Sequence, residues 1–305
     1  MYWACSSAKT ATGNGKKGGC GVYKKISSDV IVLDGKSLGG KIKSRIADTV
    51  RGFGRAPRLA IVIVGENKIS QKYVSLKETF ARDVGIETRR YKFPATISTN
   101  QLRAHMKDIV HEVHNDGVIV QLSLPREIDT QSILNAIVPE KDVDLLSARA
   151  AGDYQVGKSK IRPPVVGAIE ELFREYGISI SGKKTALIGY GRLVGQPLSI
   201  WLARFGAKLS IIGAEEYFDA ELLKHADIVI SGAGKPKLVT GELIQEGAVV
   251  VDVGVSDIAG ALVGDVDVDS IKEKASYATP EKGGVGPMTI AILFENLVKL
   301  LEARR

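Results

Sequence analysis

The stretch Thr185–Gly195, which reads TALIGYGRLVG, decides the fold class. Its apolar start predicts a short strand ending at Ile188, and Val194–Phe205 has the spacing of a helix. Glycines between a strand and a helix let the backbone approach a pyrophosphate, and the helix N-terminus offers free N–H groups. The spacing here is GxGxxxG, and a tight strand–helix connection also uses glycine. In this strand and helix context the pattern indicates nucleotide binding.

The loop after the next predicted strand, Lys208–Ile212, bears on which nucleotide binds. Glu215 and Glu216 follow that strand, where an acidic side chain accepts hydrogen bonds from the ribose 2′-OH and repels a 2′-phosphate. They favour NAD over NADP, although two acids in a solvated turn would look the same. Arg192 weakens this inference, because a guanidinium pairs well with phosphate. The candidate cofactor-binding residues are Gly189, Tyr190, Gly191, Arg192, Val194, Gly195, Glu215, Gly232 and Gly234.

Strands and helices alternate outward from this stretch along the whole chain. Continuous apolar runs predict buried strands, and periodic ones predict helices. The other predicted strands are Leu59–Val64, Glu87–Tyr91, Gly117–Gln121, Ile228–Ser231 and Ala248–Val253. The other predicted helices are Leu38–Val50, Ser70–Val84, Thr99–His114, Ala168–Tyr176, Leu222–His225 and Pro287–Ala303. This alternation predicts parallel βαβ units and an α/β fold, with a domain boundary near residue 150.

Composition narrows the class of protein. Apolar residues make up 44% and charged residues 25% of the 305 residues, which excludes wholesale disorder and a disulfide-dense scaffold. No apolar run reaches the ~18 residues that a membrane span needs. At roughly 100–200 residues per domain, the length predicts two domains.

Residues 1–28 differ from the rest in charge. They contain five lysines and no acidic residue, and so carry five of the seven net positive charges. Without a hydrophobic period they predict a disordered basic tail; a transit peptide is the alternative, although the stretch lacks arginine. Cys5 and Cys20 both lie there and match no zinc pattern. The near-neutral, cysteine-free remainder fits a reducing compartment and gives no reason to expect a nucleic-acid partner.

Four further segments carry side chains suited to chemistry. Tyr73 and Lys77 share a helix face, and a lysine desolvated in a cleft has a lowered pKa. Gln121 ends an apolar strand, where open α/β sheets bind ligands. Asp144 closes the sequence KDVD, and Gly283–Thr289 (GGVGPMT) opens the last helix with exposed N–H groups. The plainer interpretations are a surface pair, a strand terminator, a solvated charge cluster and a structural turn.

In this order, the segments resemble the bifunctional methylenetetrahydrofolate dehydrogenase/methenyltetrahydrofolate cyclohydrolase family (FolD-type). The resemblance runs from about Val30 to Leu301. The blocks that carry it are VGEN (Val64–Asn67), SxxYVxxK (Ser70–Lys77), DGVIVQLxLP (Asp116–Pro125), KDVD, VVVDVGV (Val249–Val255), GDVD (Gly264–Asp267) and GGVGPMT.

The resemblance implies a fold and an activity. It implies an N-terminal three-layer α/β domain (29–150), a Rossmann-type dinucleotide-binding domain (151–286), and an active site in the cleft between them. Residues 287–305 would return to the first domain. The implied activity oxidises 5,10-methylenetetrahydrofolate with NAD or NADP and then hydrolyses the methenyl product to 10-formyltetrahydrofolate. A cytoplasmic homodimer joined through the Rossmann domain is also implied, with roles in one-carbon metabolism and purine biosynthesis. No membrane or metal partner is expected.

The resemblance also implies roles for single residues. Lys77 would manage protons during hydrolysis, Gln121 would hold Lys77 and tune its pKa, and Tyr73 would stack on the folate ring system. Asp144 would hydrogen-bond the pterin-like end. The folate pocket would be lined by the backbone of Gly284, Val285, Gly286 and Pro287.

Three positions depart from the family pattern. Leu145 replaces a glycine after KDVD, Val165 replaces a hydroxyl residue near the nicotinamide, and Tyr190 replaces an arginine that meets the 2′-phosphate in many members. These departures motivate an alternative, a diverged folate- or nucleotide-binding protein with one or both activities lost. A short-chain dehydrogenase also uses a YxxxK pair, but there the glycine loop comes first, whereas Tyr73 precedes Gly189 here.

Overall fold

A computed structural model describes residues 30–213, 218–258 and 261–304. The predicted basic tail, with both cysteines, and the predicted ribose-binding acids Glu215 and Glu216 lie outside these residues. Within them, no helix is long and apolar enough to cross a membrane.

The described elements alternate as the sequence predicts. The strands are β1 (Ile31–Val32), β2 (Arg58–Val64), β3 (Glu87–Phe93), β4 (Gly117–Val120), β5 (Lys184–Ile188), β6 (Lys208–Ile212), β7 (Ile228–Ser231), β8 (Val249–Asp252), β9 (Ser256–Ile258), β10 (Ala261–Val263) and β11 (Tyr277–Ala278). The helices are α1 (Gly35–Arg51), α2 (Lys68–Asp83), α3 (Thr99–His111), α4 (Thr130–Leu134), α5 (Ala148–Gln155), α6 (Pro164–Glu175), α7 (Gly195–Arg204), α8 (Ala220–Lys224), α9 (Val268–Ile271) and α10 (Val285–Glu302).

The first part of the chain forms a three-stranded parallel sheet in the order β3-β2-β4. Leu59 of the central strand pairs with Thr88 on one side and Gly117 on the other. Six of the seven β2 residues are buried, because helices cover both faces of a parallel sheet. The carboxyl ends of β2 and β4 therefore open on the same edge of the sheet, which is where ligands bind in such folds.

The second part forms a six-stranded parallel sheet in the order β1-β11-β8-β7-β5-β6. Its first strand comes from the start of the chain, since Ile31 pairs with Tyr277. The division at residue 29 is therefore corrected at this point: Ile31–Val32 belongs to the Rossmann-type sheet. A separate antiparallel hairpin pairs β9 with β10.

The last helix joins the two parts. The helix α10 packs against α1 and α6, and Phe294 stacks on Phe80 of α2 with ring centroids 5.1 Å apart. This confirms the expected return of the C-terminal helix to the first domain. Buried side chains of both sheets, such as Ile61 and Leu187, belong with Phe294 to one continuous apolar core, so the cleft between the sheets has fixed walls.

Hydrogen bonds from α10 also fix the two segments where the chain crosses between the sheets. Asn296 is 1% exposed, and its Nδ2 donates to the Val143 carbonyl at 2.9 Å and to the Arg162 carbonyl at 2.7 Å. Beside it, Glu295 accepts from Arg45 of α1 at 2.6 Å and from Arg162 at 3.4 Å. One helix thus determines the spacing of the cleft walls.

Candidate active site

The two sheets enclose one large cavity of about 1520 Å³. Its walls bring together most of the predicted site residues from both parts of the chain. The predicted residues on its surface are Tyr73, Lys77, Gln121, Asp144, Tyr190, Arg192, Val194, Gly284, Val285, Gly286 and Pro287. Val165, one of the three departures from the family pattern, also lies on this surface and is 4% exposed.

A hydrogen bond links Lys77 to the end of β4. Asn67 Oδ1 accepts from the Ser70 N–H at 3.0 Å at the start of α2, and Lys77 lies about two turns further along. Its Nζ donates to Gln121 Oε1 at 2.9 Å. The Gln121 side chain is itself fixed, because its Nε2 donates to the Leu122 carbonyl at 3.0 Å. The amide oxygen therefore faces the ammonium group.

Lys77 and Asp144 perturb each other. Burial lowers the pKa of Lys77, and the charge of Asp144 opposes that change. Burial raises the pKa of Asp144 to about 6; Lys77 opposes this shift and the neighbouring Asp142 adds to it. Both side chains retain access to the cavity. A lysine with a lowered pKa, held by an amide oxygen, is neutral for a larger fraction of the time than a solvated lysine and so accepts a proton more readily.

The KDVD segment is not a solvated charge cluster. Lys141 Nζ donates to the carbonyls of Val110 and Glu112 at 2.7 and 3.0 Å. Asp142 is 1% exposed and accepts from the Ser147 N–H at 2.8 Å. These two side chains anchor the segment, which leaves Asp144 at the cavity surface.

Leu145 has a backbone conformation that costs free energy in any residue other than glycine. Its φ is 55°, in the left-handed region where glycine is favoured. Its side chain is 4% exposed and belongs to the shared core. Burial of the leucine offsets the backbone strain, so the chain holds this left-handed conformation without a glycine.

Tyr73 lies one turn from Lys77 on the cavity side of α2. Burial raises the pKa of its hydroxyl, so the ring is neutral. A half-buried phenol ring on a cavity wall offers a flat apolar face for a planar ligand.

The glycines of the 189–195 loop make a tight turn. Gly189 has a φ of 85°, and a Cβ on Gly195 would lie 2.2 Å from the Gly189 carbonyl oxygen. By contrast, a Cβ on Gly191 would meet no atom within 4 Å. The loop is therefore tightly packed between Gly189 and Gly195 but has free space beside Gly191. Such space lets a phosphate group approach the backbone.

Gly232 and Gly234 follow β7 and are hydrogen-bonded within the protein. The Gly232 N–H donates to the Ile188 carbonyl at 2.9 Å, and the Gly234 N–H donates to Asp265 Oδ2 at 3.2 Å. These bonds shape the loop after β7, and a contact of the two glycines with the cofactor stays a prediction.

Asp265 is the organising residue of this loop, and the sequence analysis missed it. It is fully buried and accepts hydrogen bonds from Ser231 Oγ at 2.7 Å and from the N–H groups of Ala233 and Lys235, each at 2.8 Å. The GDVD block contains it and was the available signal.

Asp252, at the end of β8 on the cavity surface, accepts from the Val266 N–H at 3.0 Å, and burial raises its pKa to about 6.

The start of α10 forms the remaining wall. The Lys36 N–H donates to the Gly283 carbonyl at 2.8 Å, and a Cβ on Gly35 would lie 1.9 Å from the Gly284 carbonyl oxygen. This contact between glycines sets the backbone of Gly284–Pro287 against the cavity. No group of three or more metal-ligating side chains occurs among residues 30–213, 218–258 and 261–304.

The chain matches both domains of one described family. "Tetrahydrofolate dehydrogenase/cyclohydrolase, catalytic domain" matches residues 33–144, and its NAD(P)-binding domain matches residues 163–305. A Bifunctional protein FolD from Nautilia profundicola is 39% identical over 272 residues, which cover 88% of this chain and 96% of that relative.

Solved structures show the same similarity. The bifunctional FolD enzyme from Campylobacter jejuni has a TM-score of 0.86 at 34% identity, covering 90% of this chain and 100% of that one. A Trypanosoma brucei FolD, complexed with NADP cofactor and an inhibitor, has a TM-score of 0.86 at 32% identity and covers 91% of this chain and 99% of that one. The similarity spans both sheets and the cavity between them.

Proposed function

This chain belongs to the tetrahydrofolate dehydrogenase/cyclohydrolase family, and we propose that it catalyses both reactions in that name. It oxidises 5,10-methylenetetrahydrofolate to 5,10-methenyltetrahydrofolate with a nicotinamide nucleotide, and it hydrolyses the methenyl product to 10-formyltetrahydrofolate. The observation that carries the proposal is the contact of Lys77 with Gln121 at 2.9 Å, beside Asp144, in the same cavity as the glycine loop.

Hydride transfer depends mainly on how the protein positions the two reacting carbons. The methylene carbon of the folate loses a hydride, and the carbon is left as the methenyl cation. The nicotinamide, when bound, accepts that hydride. The protein holds the folate against the wall formed by Tyr73 and the Gly284–Pro287 backbone, so that donor and acceptor carbons meet at short range.

Hydrolysis needs a proton acceptor. Water adds to the methenyl carbon, and its oxygen loses one proton as the hydroxyl adduct forms and the second as the formyl carbonyl forms. The bond from this carbon to N5 breaks, N5 takes up one proton, and the 10-formyl product forms with net release of one proton. Lys77, with its lowered pKa, is neutral for a larger fraction of the time than a solvated lysine and takes that proton at Nζ. Gln121 orients the amine, and Asp144 binds the pterin-like end of the folate.

The residues around the glycine loop fit a dinucleotide. Gly191 leaves open space at the start of α7, and Tyr190, Arg192 and Val194 lie on the cavity surface. We propose NAD as the preferred cofactor, because Tyr190 stands where many members have the arginine for the 2′-phosphate. Glu215 and Glu216, which follow β6 in the sequence, are the acidic residues proposed to bind the ribose 2′-OH.

Two finer proposals concern assembly and compartment. The chain forms a homodimer through the larger sheet, because Ile211 on its edge strand β6 is 47% exposed and Phe205, three residues before that strand, is 50% exposed. It works in the cytoplasm, where thiols stay reduced, because residues 30–305 contain no cysteine. There its product would supply formyl groups for purine biosynthesis. Cell fractionation with an antibody to the protein tests the compartment, and recovery in a membrane-bound organelle would contradict it.

Steady-state kinetics of the purified protein test the proposed function. Reduced nicotinamide should appear when methylenetetrahydrofolate is supplied, with a higher kcat/KM for NAD than for NADP. Supplied methenyltetrahydrofolate should be hydrolysed faster than in buffer alone. Binding of folate without either reaction would support the inactive alternative instead. A strong preference for NADP would contradict the cofactor proposal while leaving the activity intact.

A further inference from the structure

Arg192 has a buried donor that no described residue satisfies. It lies in the glycine loop, three residues before α7 begins at Gly195. Its Nη1 is inaccessible to solvent and has no hydrogen-bond acceptor within the part of the chain that the structure describes. Three other buried side-chain atoms there lack partners, on Asn115, Trp201 and Asn296, but each belongs to a neutral group. Arg192 is therefore the only charged side chain in that set.

A buried guanidinium nitrogen without an acceptor is costly. Arginine stays protonated at any pH a protein meets, so it cannot escape the cost by losing its proton. A buried charge without a partner destabilises a fold unless an anion arrives. Arg192 also lies on the cavity surface together with Gln196 and Pro197 from the start of α7. The side chain is thus placed to receive an anion from within the cavity.

Backbone N–H groups close to Arg192 are already hydrogen-bonded within the loop, so its side chain is the group placed to bind a ligand. The N–H groups of Val194 and Gln196 both donate to the Gly191 carbonyl, at 3.3 and 3.1 Å. Two amides at the start of this ten-residue helix are therefore occupied within the loop. The space at Gly191 remains open. An anion seated there meets the guanidinium of Arg192 as its nearest full positive charge on the loop.

The position within the sheet decides which phosphate is involved. In a Rossmann-type unit the pyrophosphate lies at the first glycine loop, and the ribose 2′ position lies beyond the end of the next strand. The cavity surface includes Arg192 and Gln196, but no described residue of β6. We propose that Arg192 binds the pyrophosphate of the nicotinamide cofactor and compensates for the amides that the loop uses internally. This inference rests on the proposed function.

Arg192 should therefore raise the affinity for the cofactor without favouring NAD or NADP. NAD and NADP share the pyrophosphate and differ only at the 2′ position, so Arg192 strengthens both to the same degree. This separates it from the residues that choose between the two nucleotides. It also gives the chain an arginine for phosphate binding in a loop where Tyr190 has replaced another.

Isothermal titration calorimetry of the full chain tests the proposal. NAD, NADP, ADP and adenosine are titrated into the wild type, Arg192→Gln and Arg192→Lys. The control is Arg103→Gln, at an exposed arginine on α3. Losing one charge-assisted contact should raise the Kd of NAD, NADP and ADP by about tenfold to a hundredfold in Arg192→Gln. The Kd values of Arg192→Lys should lie between those of the wild type and Arg192→Gln. The Kd of adenosine should be the same in all variants, and Arg103→Gln should bind all four ligands like the wild type.

Thermal unfolding without nucleotide supplies a second readout. Because Arg192→Gln removes a buried donor that has no acceptor, its Tm should equal or exceed that of the wild type. A clearly lower Tm would show a structural partner and overturn the proposal. So would unchanged ADP binding, or a loss confined to NADP, which would assign Arg192 to the 2′-phosphate. A wild type that binds neither nucleotide would instead contradict the proposed function, so the two failures are distinguishable.

Discussion

Single charges around Lys77 determine when it can act as a base. Burial lowers the pKa of Lys77, and the carboxylate of Asp144 works against that shift. Gln121 adds a neutral acceptor at 2.9 Å, which orients the amine without adding charge. Burial therefore lowers the pKa of Lys77, and Asp144 keeps that pKa from falling further. This balance suits a group that must exchange a proton in each turnover.

Replacing Asp144 by asparagine should shift the pH dependence of hydrolysis. The Asp144 charge raises the pKa of Lys77, so its loss lowers that pKa further. If neutral Lys77 is the base, the rising limb of kcat against pH for methenyl hydrolysis moves to lower pH. The KM for folate should also rise. Asp108→Asn, at an exposed site on α3, serves as the control. A limb that moves to higher pH would contradict the assigned coupling.

Two glycines of the same loop should respond differently to alanine. In Gly195→Ala the new Cβ lies 2.2 Å from the Gly189 carbonyl oxygen, so the loop must move. We expect a loss of about 1–3 kcal/mol in the free energy of unfolding and a large fall in hydride transfer. Gly191→Ala, whose Cβ would meet no atom within 4 Å, should unfold like the wild type. Urea titrations compare them, and equal stability of the two variants would refute the crowding argument.

Residue-level prediction from sequence was good where a position follows from a pattern. Lys77 and Tyr73 were identified from their spacing of four, and Gln121 from its place at a strand end. The contact between Lys77 and Gln121 came from the family resemblance, because the two residues are far apart in sequence. The burial of Asp142, the left-handed backbone at Leu145 and the loop-holding role of Asp265 could not be predicted, since each depends on packing between distant segments.

At the scale of elements, α10 determines how the cleft is held. Its Glu295 contacts Arg45 of α1, Arg162 beside α6, and Lys299 of its own helix at 2.8 Å. Burial acts to raise the pKa of Glu295, but contacts with Lys299, Arg45 and Arg162 outweigh it, so the pKa is lowered overall. A carboxylate with a lowered pKa stabilises the fold at pH values above its unfolded pKa.

Removing that charge should weaken the fold in a pH-dependent way. Glu295→Gln should lose about 1–3 kcal/mol of unfolding free energy at neutral pH, because Arg45, Arg162 and Lys299 lose a negatively charged partner. The difference from the wild type should shrink as pH falls below the unfolded value of 4.5 and through the lowered pKa, where the wild-type carboxyl also protonates. Glu302→Gln, at the exposed end of α10, is the control. A difference that grows on acidification would contradict this sign.

Most elements of four or more residues were predicted from their pattern. The predicted strand Lys208–Ile212 matches β6 and Ile228–Ser231 matches β7, and α10 begins only two residues before the predicted Pro287. The two-residue strands β1 and β11 carry too few residues for any period and form by pairing, β1 with β11 and β11 also with β8. The helices α4 and α5 were missed because five and eight residues give only about one to two helical turns, although the five-residue α8 was predicted as Leu222–His225.

At the scale of the molecule, the exposed edge of the larger sheet predicts self-association. Ile211 is exposed on the edge strand β6, and Phe205, three residues before that strand, is exposed as well. The variant Ile211→Lys should shift the chain from dimer to monomer in sedimentation velocity, because pairing of the edge strands would bury the introduced charge. Val113→Lys is the matched control, since Val113 is 80% exposed on the first part of the chain. A wild type that sediments as a monomer would rule out the dimer.

The whole-molecule arrangement was predictable in outline. Two α/β parts, a glycine loop in the second and a helix returning to the first were all expected and are found. The crossing of Ile31–Val32 into the second sheet was not, because its register depends on Tyr277–Ala278 near the far end of the chain. Five of the seven net positive charges belong to residues 1–28, so the remaining 277 residues carry a net charge of only +2.

The central claim is that Lys77 serves the hydrolytic step in a cavity shared with the hydride step. Rates of both steps in Lys77→Met test it most directly, with Lys72→Met on the exposed side of α2 as the control. Methenyl hydrolysis should fall by at least about a hundredfold. Nicotinamide reduction should persist, so that the methenyl product accumulates. Hydrolysis at the wild-type rate in Lys77→Met would contradict the account.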